Sequence, residues 1–350
     1  MQGLYPFAGF YFPDSSVIMP DREARSHDKE ITKKMNQVLA IVVTYNRLAM
    51  LKQCISHLKA QTYPCDILIV DNASTDGTEA WMQQNCTADP CPAVSEQADF
   101  HQLFYENTGC NLGGAGGFQY GLRRSAERGY VYAWIMDDDA FAEPDCLEKL
   151  MQGAFRLGQF GFLASAVFWK DGSLCRMNWQ RKYPLPKRRS EHHLLESDLD
   201  QELVQIQSST FVSALFPIQT IRTVGLPIKE FFIWCDDIEY TRRITLKYHL
   251  PAYVVTASHI THHINNNEGT SLAKDGADRI PRYHYAFRNE NYMYRQYGIR
   301  GFGYYLTVIA YNTLMILFHA RDHRLQRLGV VYRNLFTGLF FNPQIEYLKD

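Results

Sequence analysis

Apolar residues along this chain fall in short β-branched runs separated by polar turns and by stretches of helical period, and that alternation predicts the fold class. Residues 38–43 (VLAIVV) form a continuous apolar run closed by Thr44, and residues 47–60 then repeat apolar side chains at helical spacing. A second run, 66–70 (DILIV), ends in Asp71-Asn72-Ala73-Ser74-Thr75-Asp76-Gly77-Thr78, turn residues that lead into a helix at Glu79. A third strand is expected around 100–105. It leads to Asn107 and the glycine-rich loop 111–117 (NLGGAGG), followed by a helix over 118–127. A fourth run, 130–136 (YVYAWIM), stops at three consecutive aspartates. Strand, polar loop and helix in repetition predict an α/β protein with a mostly parallel sheet and right-handed crossovers. In such a sheet the carboxyl ends of the strands lie along one edge, so the four polar loops should assemble a single crevice.

The aspartates carry the most specific chemistry. In an extended backbone alternate side chains share a face, so Asp137 and Asp139 are expected to point at one spot while Asp138 points away. Two carboxylates so placed can hold one divalent ion. Mg²⁺ or Mn²⁺ suits a hard oxygen site completed by water and by the phosphates of a substrate. The competing structural reading is an acidic cap for the helix that starts near Pro144, with Asp139 or Glu143 set against its dipole.

Composition narrows the partners and the compartment. Formal charge is −1 over 350 residues with no long basic stripe, which argues against nucleic acid; Lys187-Arg188-Arg189 reads as a solvated loop. The 8 cysteines are scattered without a CxxC pair, so neither a zinc cage nor a disulfide framework is expected, and reduced thiols fit a cytoplasm. The first stretch mixes acidic and basic residues and lacks the apolar centre of a signal peptide. No transmembrane span is expected either, because no uninterrupted run approaches the roughly 18 apolar residues it needs. Residues 301–341 differ in texture, being aromatic and aliphatic and, after Phe318, interleaved with Arg and His. They read as an amphipathic membrane-surface element or as two helices packed on the catalytic domain or on a second subunit. Residues 1–36 have no periodicity and are expected to form an extended arm or small lid.

Taken in order, Thr44-Tyr45-Asn46-Arg47, the segment 70–78 (VDNASTDGT), the segment 111–118 (NLGGAGGF) and Asp137-Asp138-Asp139 resemble the successive motifs of family 2 glycosyltransferases with the GT-A fold. The segment 232–240 (FIWCDDIEY) and His262 resemble the acceptor-side motif and the metal-binding histidine of the galactofuranosyltransferase and rhamnosyltransferase-like branch. The resemblance runs from about Val38 to His263 and covers neither the first 36 residues nor the tail beyond about Tyr297. It implies a catalytic domain over 37–297, preceded by the arm and followed by a helical region over 298–350.

The same resemblance assigns roles. Thr44 and Asp71 would bond the pyrimidine of a nucleotide-sugar donor, and Arg47 would steady its base or phosphate. Asn111 would contact the diphosphate or sugar, Gly113 and Gly114 would let the backbone approach the donor, and Asp137 and Asp138 would face it. The glycine loop has no GKS or GKT ending, which excludes a nucleotide-hydrolysing P-loop. Asp137, Asp139 and His262 would hold the metal, the imidazole favouring Mn²⁺, with His259 and His263 as rivals to His262. Asp237 would be the general base, with Asp236 and Glu239 as alternatives that also contact the acceptor, and Trp234 would stack on a sugar face. Each has a structural counterpart: Thr44 as a helix cap, Asp71 as an Asx-turn, Trp234 in a core, and Asp236 to Glu239 as the acidic first turn of a helix reaching Leu246.

The implied activity is inverting, metal-dependent transfer of a sugar from a nucleotide to a glycan or lipid-linked glycan in surface polysaccharide synthesis at the cell envelope. Galactofuranose from UDP-galactofuranose is the first expectation and rhamnose from dTDP-rhamnose the rival. Cys235 stands between Trp234 and Asp236, where the galactofuranosyl pattern runs Trp directly into Asp-Asp. A sugar nucleotidyltransferase would need a glycine-rich basic loop after the first strand, and Thr44 to Arg47 contains no glycine. A non-catalytic glycan- or nucleotide-binding subunit is the remaining class. A cytoplasmic protein is expected, with the C-terminal stretch offering peripheral contact with the inner face of the membrane or a homo-oligomer interface.

Overall fold

The computed structural model describes residues 37–86 and 102–349. In chain order the elements are β1 (Val38–Thr44), α1 (Leu48–Lys59), β2 (Asp66–Asp71), α2 (Thr78–Asn85), β3 (Leu103–Asn107), α3 (Gly113–Glu127), β4 (Tyr132–Asp137), β5 (Ala140–Ala142), α4 (Cys146–Leu157), β6 (Phe162–Trp169), β7 (Arg181–Lys182), β8 (Leu203–Ser208), β9 (Ala214–Pro217), α5 (Ile218–Val224), α6 (Asp236–Arg242) and β10 (Ala252–His262). Three further helices close the chain: α7 (Tyr283–Arg295), α8 (Gly298–His319) and α9 (Arg324–Phe340). The strands join in one sheet of order β3-β2-β1-β4-β9-β6-β10-β8-β7, with β5 added to β10. β3, β2, β1 and β4 are parallel neighbours. β9 is an antiparallel wedge between β4 and β6, so β6 and β10 again run in the direction of β4.

The unbroken apolar run of β1 has a direct explanation. Val38, Ala40 and Val42 pack into one core layer with Leu51 and Leu58 of α1 and Leu147 and Leu150 of α4. Leu39, Ile41 and Val43 pack into the opposite layer with Phe118 and Leu122 of α3, Ile221 of α5 and Tyr240 of α6. A strand covered by helices on both faces has no solvent side, so period-two alternation disappears from its sequence.

Two boundaries differ from expectation. The third strand lies at Leu103–Asn107, displaced toward the C-terminus, and Phe100, where it was expected to begin, lies outside the described residues. The glycine-rich segment is not a loop: α3 begins at Gly113 rather than Phe118. Glycine is a poor helix former, but packing overrides propensity here. A Cβ on Gly117 would stand 2.5 Å from Val43 Cγ1, and one on Gly121 2.4 Å from Ile41 Cγ2, so these glycines let the helix axis approach β1. The expected arm at 1–36 lies outside the described residues.

The C-terminal stretch forms two helices, α8 and α9, which pack with α7 around Phe287, Tyr305, Ile309, Ile316 and Val331. The chain then returns to the sheet's helical layer. The Glu346 carbonyl accepts from the Leu226 amide at 2.8 Å, and the Glu346 carboxylate pairs with Arg123. Ile299, Phe318, Leu325, Phe336 and Phe340 are left exposed on the outer surface. One expectation is corrected: α8, 22 residues with a mean hydropathy of 1.4 over its most apolar window, is long and apolar enough by composition to cross a membrane. Glycine, threonine and asparagine interrupt its apolar runs without removing its average hydrophobicity, which is why a search for an unbroken run passes over it. A third of that window is buried against the rest of the protein.

Candidate active site

The carboxyl ends of β1, β2 and β4 and the end of β10 converge on one crevice. β4 stops at Asp137, and Asp138 and Asp139 form a turn into β5. β5 pairs antiparallel with the end of β10, placing His262 opposite Ala140, the residue after Asp139. That register brings the imidazole to the acids. His262 Nε2 lies 3.0 Å from Asp139 Oδ1, and one ligand atom from each of Asp137, Asp139 and His262 lies within 4.8 Å of the others. Asn178 fixes the ring from behind, its Oδ1 2.7 Å from His262 Nδ1, while its Nδ2 donates to Thr210 Oγ1 at 3.0 Å. With Nδ1 so engaged, Nε2 is the nitrogen presented to the carboxylates, the arrangement that orients metal-binding histidines. His259 is exposed with its ring edge-on to Phe168, and His263 packs its ring 4.3 Å from that of Phe141.

Charge is concentrated here. Burial, with the nearby charge of Asp139, pushes the Asp137 carboxyl up to about 7. Burial also raises Asp138, to about 6, against the pull of Thr44 and Arg47. For Asp139 burial acts in the same direction, but the hydrogen bond and charge of His262 and the charge of Arg47 overcome it and hold the group near 2. His262 is lowered by burial and raised further by Asp139, to about 10. Three adjacent acids, Asp138 and Asp139 buried and Asp137 partly so, form a site that favours added positive charge. Two carboxylates and an imidazole are a donor set suited to a divalent ion. The capping alternative does not describe Asp139, since α4 is preceded by Asp145 and carries Glu148 in its first turn.

The expected donor-side residues line the same edge. The Thr44 hydroxyl donates to Asp138 Oδ2 at 2.7 Å, and Arg47, half exposed, bonds Asp138 and Asp139. Asp138 therefore does not point away from the cluster: it sits in a turn, where the two-residue alternation of a strand no longer applies. Thr44 makes no helix cap. Asp71 is fully buried, accepting from the Ser74 amide at 2.9 Å, as in an Asx-type turn, and from the Tyr105 hydroxyl at 2.7 Å. Asn111 is exposed and its Oδ1 accepts from the Gly113 amide at 2.8 Å. Gly113 and Gly114 have different surroundings. Gly114 faces open space, whereas Gly113, at φ +70°, has the Phe232 carbonyl oxygen 2.1 Å from where a Cβ would stand. Gly113 thus admits the backbone of the loop at Phe232, the segment expected to serve the acceptor.

That loop is unusual. Phe232, Trp234 and Cys235 all have left-handed backbones, with φ of 64°, 66° and 67°. Such residues persist only where their surroundings hold them. The restraint comes from α7: Asn289 Nδ2, wholly buried, donates to the carbonyls of Phe231 at 2.9 Å, Ile233 at 3.2 Å and Trp234 at 2.9 Å. Arg288 donates to the Glu230 carbonyl at 2.6 Å and to Asn289 Oδ1 at 2.9 Å. The loop delivers Asp236 and Asp237 at the start of α6. Burial, Asp237 and the charge of Asp137 raise Asp236 well above the usual carboxylate range, placing it toward the aspartate cluster. Burial raises Asp237 to about 6, and its Oδ1 accepts from the Ile238 amide. Glu239 is not brought to the crevice: its carboxylate forms a buried two-bond pair with Arg243, at 3.0 and 2.7 Å. Trp234 is partly buried, edge-on to Tyr283. Asn178 and Asn289 carry no signal in the sequence, since a single asparagine in a turn or helix is unremarkable until the fold supplies its partners.

Comparison with known proteins agrees with this geometry. Residues 39–200 match the model of glycosyl transferase family 2. Galactofuranosyltransferase GlfT1 of Mycobacterium tuberculosis is 27% identical over 279 residues, covering 75% of this chain and 84% of that protein. Undecaprenyl-phosphate mannosyltransferase of Micrococcus luteus is 34% identical over 118 residues, covering 33% of this chain and 43% of that protein. The crystal structure of S. aureus TarS superposes with a TM-score of 0.50 at 11% identity, covering 87% of this chain and 55% of that one, a likeness of fold. The fold is the expected GT-A α/β arrangement, a mostly parallel sheet with C-terminal helices. With the ordered motifs along the strand ends, these matches identify residues 39–200 as a glycosyl transferase family 2 domain and support hexosyltransferase activity for the chain.

Proposed function

We propose that this enzyme transfers galactofuranose from UDP-galactofuranose to a hydroxyl of a glycan or lipid-linked glycan acceptor, inverting the anomeric centre. The observation that carries the reading is the convergence of the Asp137, Asp139 and His262 triad with the loop that presents Asp236 and Asp237. The named activity of the GlfT1 relative supports the choice of sugar. Asp137, Asp139 and His262 would hold a divalent ion, Mn²⁺ or Mg²⁺, which when bound would stabilise the negative charge that builds on the departing diphosphate oxygen. Thr44, Asp71, Asn111, Gly113 and Gly114 border the donor side. Arg47, half exposed beside Asp138, can turn its guanidinium toward a phosphate. Asp237, as the general base, takes the proton of the acceptor hydroxyl as its oxygen bonds the anomeric carbon and UDP leaves. Asp236 is the alternative base, and Trp234 offers an aromatic wall to the acceptor. The Cys235 insertion keeps dTDP-rhamnose as the second donor to test.

We assign residues 37–297 to the catalytic domain and 298–350 to a helical region whose exposed apolar residues contact the cytoplasmic face of the cell membrane, placing the reaction in surface polysaccharide synthesis. The deciding experiment measures nucleoside diphosphate release from UDP-galactofuranose, UDP-galactopyranose, UDP-glucose and dTDP-rhamnose with pooled glycan acceptors, in Mn²⁺ or EDTA. Turnover of UDP-galactofuranose that EDTA and Asp139→Ala both abolish is the expected result. Turnover that survives EDTA would remove the metal from the scheme, and turnover of dTDP-rhamnose alone would replace the sugar.

A further inference from the structure

Beside the acceptor loop lies a cavity of about 240 Å³ whose walls include Arg176, Thr270, Tyr283, Phe287, Glu290 and Asn312. It adjoins the crevice on two sides. Arg176 opens the short turn Arg176–Asn178 whose last residue holds His262. On the other side Tyr283 packs edge-on against Trp234 with ring centroids 5.0 Å apart, and the charge of Glu290 reaches the thiol of Cys235, the residue before Asp236. The cavity therefore borders the loop before Asp236 through Tyr283 and Glu290, and the turn behind His262 through Arg176.

Its chemistry is selective. Glu290 follows Asn289 on α7, and no hydrogen bond among the described residues uses its carboxylate. Burial raises that carboxyl to about 7, so near neutral pH it can both donate to and accept from hydroxyl groups. The partly buried Glu290 carboxylate opposes a phosphate or a second carboxylate beside it, which disfavours the nucleotide diphosphate as an occupant of that wall. Aromatic walls from Tyr283 and Phe287 with a few converging polar groups suit a ring that has apolar faces and a hydroxylated edge. The volume is below the roughly 300–1,000 Å³ of drug-sized sites, fitting one ring rather than an extended chain.

We propose that this cavity is a subsite for one uncharged sugar ring of the acceptor, with Glu290 bonding its hydroxyls and so setting which acceptor hydroxyl meets the base. The proposal rests on the transferase reading above and concerns the acceptor side alone. The test uses the full chain with octyl glycosides of galactofuranose, galactopyranose and rhamnose as probes, in wild type, Glu290→Gln and Thr270→Val. Calorimetric titration of each glycoside is paired with initial rates on UDP-galactofuranose, and UDP affinity reports folding. The expected result is saturable wild-type binding of at least one glycoside. In Glu290→Gln that binding weakens tenfold or more and the acceptor KM rises equally, while UDP affinity stays unchanged. Equal glycoside affinity in wild type and both variants, or no glycoside binding to wild type, overturns the subsite. Glycoside binding that depends on Glu290 without turnover of any nucleotide sugar would instead overturn the transferase reading and leave the cavity a sugar site.

Discussion

Replacing Asn289 should disable the enzyme without touching a residue that meets substrate. Its amide has two hydrogens and serves three carbonyls, so one bond is shared and the group counts as two full hydrogen bonds. Each contributes about 1 kcal/mol net, and leaving buried carbonyls unpaired adds about 1–3 kcal/mol, so Asn289→Ala should lose about 3–5 kcal/mol. Against that restraint stand three left-handed residues, Phe232, Trp234 and Cys235, each disfavoured by about 1–2 kcal/mol and together about 3–6 kcal/mol. The two quantities are comparable. Without the asparagine the loop should relax toward ordinary backbone angles and carry Asp236 and Asp237 with it. A displacement of about 1 Å at a reacting group lowers rate about 100-fold. Steady-state kinetics should therefore give a kcat reduced about 100-fold with the donor KM and UDP affinity preserved, together with a lower thermal midpoint. Asn289→Leu, of similar size and unable to donate, should reproduce the kinetic defect without opening a large cavity. A kcat within twofold of wild type in both variants would refute the argument that this amide holds the acceptor loop.

Other outcomes follow from the same geometry. Asp237 must be ionised to accept a proton, and its folded-state value is raised to about 6, so kcat should rise with pH through about 6 and level above it. Asp237→Asn should keep donor binding and lose transfer at every pH, and a variant that retained turnover would exclude Asp237 as the base. The raised value also means that ionising Asp237 opposes folding: its contribution is most favourable below about 4 and is lost as pH rises through about 6, a loss absent from the Asn variant in thermal scans across that window. Gly113→Ala should lower the thermal midpoint strongly, because a Cβ there adds a left-handed penalty of about 1–2 kcal/mol and collides with the Phe232 carbonyl, whereas Gly114→Ala should leave stability nearly unchanged; equal midpoints would contradict the close approach. Full-length protein mixed with liposomes containing anionic lipid should float with them, and Phe336→Ser with Phe340→Ser should weaken flotation; protein that stays wholly in the soluble fraction would move the exposed apolar face from the membrane to a subunit interface.

Sequence alone determined the parallel half of the sheet, because four apolar runs ending in polar turns state both the strand period and the edge on which the loops gather. It also located the aspartate cluster, since a run buried on both faces can tolerate acids only where it ends. What it could not determine was partnership across long sequence distance. The resemblance named His262, but separating it from His259 and His263 on physical grounds required the pairing of β10 with β5, which no local alternation encodes because all three histidines lie within five residues of one strand end. The same limit explains Glu239, which reads as an acceptor-side acid until Arg243, one helical turn away, takes its carboxylate. The glycine-rich segment was legible as a place of close approach, but only packing disclosed that Gly117 and Gly121 face β1 and Gly113 faces Phe232. Asn178, Asn289 and Glu290 were invisible because a hydrogen-bonding side chain has no meaning in sequence until the fold decides what stands opposite it. Local periodicity is set by burial within a few residues, whereas site geometry is set by register and by contacts between segments tens to hundreds of residues apart.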